Sequence, residues 1–195
     1  IPSAFQYSLF AFANLFVQSS VNSFDHVLVE GNSAAANADP LVYDMMAAFY
    51  TACSSFIAQN FGARKKKRIL QTYLICLFYS FITSLVLGVG IYLARYPFLY
   101  LFTSDKAVVE AGITRLSIMA LSYSASAFMD ASIAASRGLG KTAVPTFVVV
   151  MGSCVFRIIW IYTIFAYFHT IQSLYILYVF SWGITAIAEN IYFFH

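Results

Sequence analysis

Long apolar stretches, broken by short polar or charged ones, set the pattern of this chain. A helix that crosses the hydrocarbon core needs about 20 mostly apolar residues. Six segments meet that length, at about residues 3–24, 36–61, 69–94, 106–137, 142–167 and 174–194. The connections between them are short. Residues 26–32 join the first two spans, and Asp39-Pro40 signals the start of the second, with the Ala-rich run before it able to add turns. Pro97 is expected to end the third span, and the aromatic run Tyr96 to Phe102 suits an interfacial bend. Ser104-Asp105 offers an N-cap for the fourth span, and the glycines of Arg137-Gly138-Leu139-Gly140-Lys141 offer it a C-cap.

Composition turns this pattern into a membrane reading. The chain is 61% hydrophobic and 10% charged, against about 25% charged residues in soluble domains. So apolar a chain cannot cover a soluble surface. The predicted fold class is an all-α polytopic membrane protein, a six-transmembrane-helix bundle forming one unit over residues 1–195, with membrane lipid around it. No linker divides it. The chain begins and ends inside apolar sequence, which points to a piece of a longer membrane protein.

Charge fixes the expected orientation. Arg64, Lys65, Lys66, Lys67 and Arg68 hold five of the eleven Lys and Arg residues. Such a cluster resists translocation and is drawn to the anionic cytoplasmic leaflet. If it is cytoplasmic, the loop two spans later must be as well, and that loop carries Arg137 and Lys141. The opposite loops carry Asp25, Glu30, Asp105 and Glu110, against only Arg95 and Lys106 among Lys and Arg. Both chain ends then lie inside. The expected location is a plasma membrane, bacterial in type, and the net charge of +3 reports topology rather than a nucleic-acid partner. Cys53, Cys76 and Cys154 sit in apolar stretches with no disulfide or metal-ligand spacing, so neither a cofactor nor a structural metal is expected.

Polar side chains inside the spans are the candidate chemistry. Asn14, Gln18 and Asn22 recur at i, i+4 and i+8 on one face of the first helix; Tyr7 joins the stripe one heptad earlier and Gln6 lies a turn round. Amides in hydrocarbon need partners or water. They either bond between helices or line a polar cavity. Ser122, Ser126 and Asp130 repeat the spacing on the fourth helix, among small residues that favour close packing.

Rise per residue sorts the charges by depth. Asp130 lies about 10 Å from Arg137, within the core, with no cationic partner evident at its level. An ionised carboxylate there costs roughly 2.5–3.5 kcal/mol on insertion. It needs a proton, a bound cation such as sodium, or a hydrogen bond from a neighbouring helix. Asp44 and Arg115 fall near the outer boundary. Arg157 falls in the outer third, able to snorkel or to pair with Asp44, and Glu189 falls near the inner interface.

Several short stretches together resemble the MATE (multidrug and toxic compound extrusion) transporters, in the order and spacing of their C-terminal six-helix half. They are Ile1-Pro2-Ser3-Ala4, Ser19-Ser20-Val21-Asn22-Ser23-Phe24, Gln59-Asn60-Phe61-Gly62-Ala63-Arg64, Thr103-Ser104-Asp105, Arg137-Gly138-Leu139-Gly140, and Cys154-Val155-Phe156-Arg157-Ile158-Ile159-Trp160. The resemblance implies one lobe of a two-lobe antiporter, with an N-terminal six-helix lobe as partner. It implies a central cavity for organic, often cationic or amphipathic small-molecule substrates. Export would be driven by inward movement of sodium ions or protons, by alternating access. Asp130 stands where the NorM-like branch has a cation-binding carboxylate, and Gln6 stands where that branch has a glutamate. A lipid-linked precursor flippase of the same superfamily is the alternative; it should show several cavity arginines. An intramembrane enzyme would need a nucleophile with its base, or paired acids at one depth, and the sequence offers no HExxH, no GxSxG and no second deep carboxylate.

Overall fold

The computed structural model describes the backbone of residues 2–195 and the side chains of residues 8–195. The chain is helical along almost its whole length, with no strand among the described residues. In chain order the helices are α1 (Pro2–Val21), α2 (His26–Ala36), α3 (Ala38–Gly62), α4 (Lys66–Leu93), α5 (Arg95–Tyr100), α6 (Lys106–Gly138), α7 (Ala143–Phe168) and α8 (Ile171–Phe194). Five helical stretches among the described residues are long and apolar enough to cross a membrane: α2 with α3 as one, α4, α6, α7 and α8. The described part of α1, Ser8–Val21, is apolar but shorter.

The spans depart from the sequence reading in three places. The expected loop at residues 26–32 is helix α2. Its N-cap is Asp25, whose carboxylate accepts the Leu28 backbone N–H at 2.9 Å. The second span is therefore longer and broken. Pro40 has no N–H to give to the carbonyl four residues back, so the helix stops at Ala36 and restarts at Ala38. The Asn37 amide group covers the open end by donating to the Ser33 and Ala34 carbonyls, both at 3.1 Å. Pro97 does not end the third span. α4 stops at Leu93, and Pro97 sits in the first turn of α5, where an absent N–H costs nothing. The basic run is not all loop either: Lys66, Lys67 and Arg68 form the first turn of α4.

Two turns close with the same hydrogen bonds. After α6, Lys141 N–H bonds to the Ser136 carbonyl at 3.0 Å and Gly140 N–H to the Arg137 carbonyl at 2.9 Å, with Gly140 left-handed at φ +79°. After α3, Lys65 N–H bonds to the Asn60 carbonyl and Arg64 N–H to the Phe61 carbonyl, both at 2.9 Å. There the left-handed residue is Arg64, at φ 56°.

Helix α6 is the centre of the bundle, packed by α2, α3, α4, α5 and α8. Its most apolar window has a mean hydropathy of only 1.2 yet is 67% buried, whereas that of α4 reaches 2.3 and is 22% buried. Protein surrounds α6, whereas this chain leaves most of α4 uncovered, so the helix that meets other helices can carry Ser, Ala and Gly. A Cβ at Gly88 of α4 would collide with the Ala120 carbonyl of α6, so the backbones touch there. Large apolar side chains such as Leu74, Ile75, Phe78, Phe147, Tyr162 and Ile187 point outward.

α7 contains two π-helical stretches, Val150–Val155 and Ile161–Phe165. The Gly152 carbonyl in the first accepts the Ser181 hydroxyl of α8 at 3.2 Å. Gly152 has no side chain to keep Thr185 away, and Ser153 and Thr185 hydroxyls meet at 3.2 Å. These bonds hold α7 against α8 just before Arg157.

Candidate functional site

A cavity of about 780 Å³ opens between α1, α3, α6, α7 and α8. Asp39, Asp44, Asp130, Arg137 and Arg157 are its charged lining residues. Phe10, Tyr43, Tyr50, Tyr178, Trp182, Met119 and Met129 supply the aromatic and apolar wall. A smaller cavity of about 210 Å³ shares Asn14, Asp39 and Tyr178 with it and adds Gln18, Asn32 and Arg115. Such a mixture, mostly apolar with a few placed polar groups, is how small-molecule sites are built.

Of the residues picked from the sequence, Asp130 is on the wall of the large cavity and half buried. Asn14 lines both cavities and Gln18 only the smaller one, where its amide donates to Asn22 at 2.9 Å. Ser122 and Ser126 turn away from both cavities and donate to their own helix, to the Ile118 carbonyl at 2.5 Å and the Tyr123 carbonyl at 2.8 Å. The reason is helical drift: each step of four residues rotates the face by about 40°, so a stripe of three does not stay on one wall. The side chains of Gln6 and Tyr7 lie outside the described residues.

Packing gives the charged residues surroundings that their depth estimates did not address. Arg115 is buried between helices, donating to Asp39 at 2.5 Å and to Asn32 at 2.7 Å. The Tyr123 hydroxyl donates to the other Asp39 oxygen. Arg157 neither snorkels nor pairs with Asp44; it is 1% exposed and donates to Asn14 at 2.8 Å. Glu189 is fully buried among helices, and neither carboxylate oxygen has a hydrogen-bond partner. Asp130 does have a cation acting on it: the charge of Arg137 reaches both Asp130 and Glu189. Arg137 is seven residues on, at nearly the same helical angle. It belongs to the cavity wall as well as to the basic loop.

Sequence reasoning treated Asp39 as a helix-start signal only. A stripe could have found it. Asp39, Tyr43, Ala47, Tyr50 and Ser54 recur at helical spacing on one face of α3, and all five line the large cavity. Among the described residues no group of three or more His, Cys, Asp or Glu could hold a metal ion.

The MatE family model matches residues 2–163. The chain belongs to the MATE family. It is a half-domain of the MATE transporter fold and a multi-pass membrane protein. A mutant of the Vibrio cholerae MATE transporter VcmN superposes with a TM-score of 0.88 at 19% identity, covering 98% of this chain and 44% of that one. The bent form of VcmN gives 0.87 at 19% identity, over the same shares. An outward-facing multidrug resistance MATE family transporter of the MOP superfamily gives 0.69 at 21% identity, covering 99% of this chain and 42% of that one. This MATE chain thus spans less than half the length of the solved structures it matches. No curated protein matches it.

Proposed function

We propose that this chain is the C-terminal six-helix lobe of a secondary active efflux transporter. The whole protein would export organic, often cationic or amphipathic, compounds in exchange for sodium ions or protons by alternating access. The observation that carries the reading is Asp130 on the wall of an aromatic-lined cavity of about 780 Å³, inside a chain of the MATE family. A carboxyl there can hold a proton or a sodium ion. Substrate bound elsewhere in the cavity can favour the ion-free state. Exchange then follows from mutual exclusion, a coupling free energy that is reciprocal for the two ligands.

The second lobe is supported by the length of the structural relatives, each more than twice that of this chain. The basic residues Arg64 to Arg68 are exposed at one end of the bundle, and Lys141 is exposed in the turn after α6, which supports a cytoplasmic face of a plasma membrane there. Arg137 and Arg157 on the wall also suit the flippase reading, but three carboxylates beside them favour a cationic or mixed-charge cargo.

Asp130→Asn keeps size and hydrogen-bonding reach and removes the titratable charge. In proteoliposomes of the full-length protein, this variant is expected to lose ion-gradient-driven efflux of a fluorescent organic cation. Glu110→Gln, exposed and away from both cavities, is expected to retain it. Wild-type efflux from Asp130→Asn would move the coupling site to the other lobe.

A further inference from the structure

We propose that Arg157 forms an anion-recognition site on the cavity wall, taking the carboxylate of an organic substrate whose body is aromatic. The proposal deepens the efflux reading, because it rests on the large cavity being the substrate site.

The guanidinium is held but not neutralised. Its Nε donates to the Ser181 hydroxyl at 3.3 Å and its Nη1 to the Asn14 carbonyl oxygen at 2.8 Å. Its third nitrogen, Nη2, is buried without a partner. The rings of Phe10 and Tyr178 lie 4.7 and 4.5 Å from its central carbon. Asn14, Ser181 and two ring faces orient the group, but none carries a negative charge. His26 pairs with Glu30 and Arg115 with Asp39, and Arg157 belongs to neither pair.

Arg115 makes the comparison inside the same molecule. It too is buried, at 8% exposure, and it has its carboxylate in Asp39. Arg157 is buried more deeply and has none. Arginine stays charged in proteins, and a buried charge is costly unless it is paired. Yet α7 and α8 are built to put it there. The π-helical stretch ends at Val155, and Ser181 both donates to Gly152 and accepts from Arg157. The same fold gives Arg115 a carboxylate and gives Arg157 none. An arginine that lines a cavity with a free donor is pre-organised for an anion that arrives from outside.

The surroundings define the rest of the ligand. A planar carboxylate meets the guanidinium edge through charge-assisted hydrogen bonds. Phe10, Tyr178 and Trp182 beside it offer faces for an aromatic ring.

The test is equilibrium binding to the purified full-length protein, with two probes of the same shape: 1-naphthylacetate and its neutral amide, 1-naphthylacetamide. Trp182 on the wall gives a fluorescence signal. Wild type is expected to bind the carboxylate about tenfold more tightly than the amide, the scale of one charge-assisted contact. Arg157→Gln should erase that preference, and Arg157→Lys, which keeps the charge and loses the fork, should keep part of it. Equal or undetectable binding of both probes by wild type overturns the proposal. So does an undiminished preference in folded Arg157→Gln. If Arg157→Gln does not fold, the wild-type preference and the Arg157→Lys value decide. No ion gradient is involved, so loss of export and loss of this site are read separately.

Discussion

Arg115 of α6 reaches across to Asp39 of α3 and closes a 2.5 Å ion pair beside the point where α2 gives way to α3. Asn32 of α2 and Tyr123 of α6 bond to the same two groups. One network therefore clamps both halves of the broken helix to the central one. Removing one member of this partly buried pair leaves an uncompensated charge, at a cost of at most about 3 kcal/mol. Asp39→Asn and Arg115→Gln are each expected to lower thermal stability in detergent by up to that amount. The double variant should lose less than the sum, which a double-mutant cycle will measure.

Arg64 holds a left-handed conformation at φ 56° that glycine adopts without strain. Arg64→Gly is expected to stabilise the turn between α3 and α4 by about 1 kcal/mol. Arg64→Gln removes the same charge without relieving the backbone and should not raise the melting temperature. Equal melting temperatures for the two would assign any gain to charge instead.

Gly88 lets α4 lie directly on α6 at Ala120. Any side chain there must push the two backbones apart. Gly88→Ala is expected to destabilise by about 1–3 kcal/mol, the range for overpacking. Gly90 two residues on has open space around its Cβ position, so Gly90→Ala is the matched control and should be neutral or mildly stabilising. Melting curves of the two variants in one detergent provide the comparison.

Glu189 has no donor for either oxygen in its buried setting. Glu189→Gln gives up a charge that nothing hydrogen-bonds, so it should be no less stable than wild type and is expected to be more stable. A clear loss of stability in detergent would mean that attraction to Arg137 outweighs the burial cost.

The orientation has its own measurement. In the full-length protein freed of other cysteines, single cysteines at Lys66 and Lys141 should be shielded from an impermeant thiol reagent in intact cells. Those at His26 and Ser104 should react. All these positions are exposed on the protein, so access reports the side of the membrane. Labelling of Lys66 from outside would invert the arrangement.

The apolar spacing and the charge clusters were enough to read the helices and the membrane class, because in hydrocarbon every backbone polar group must be bonded within its own span. The caps at Asp105 and Gly140 were equally local. The order of short stretches around Gln59-Asn60-Phe61-Gly62 and Arg137-Gly138-Leu139-Gly140 carried the family. Depth estimates for single charges did not carry over to their environments. Rise along a helix gives height but not azimuth, so Ser122 and Ser126 left the wall while Asp39 and Arg137 joined it. Nor does height tell lipid from protein: Arg115, Arg157 and Glu189 all turned inward to other helices. Which charge meets which depends on packing between residues up to 143 positions apart, as with Asn14 and Arg157. The two π-helical stretches that flank Arg157 in α7 leave no simple mark in the sequence. The chain itself showed an all-helical membrane bundle and roughly where its long helices lie, but not the extra helix α2. Only their packing around α6 decided which polar groups share a cavity, because that depends on close approach between backbones that no local pattern encodes.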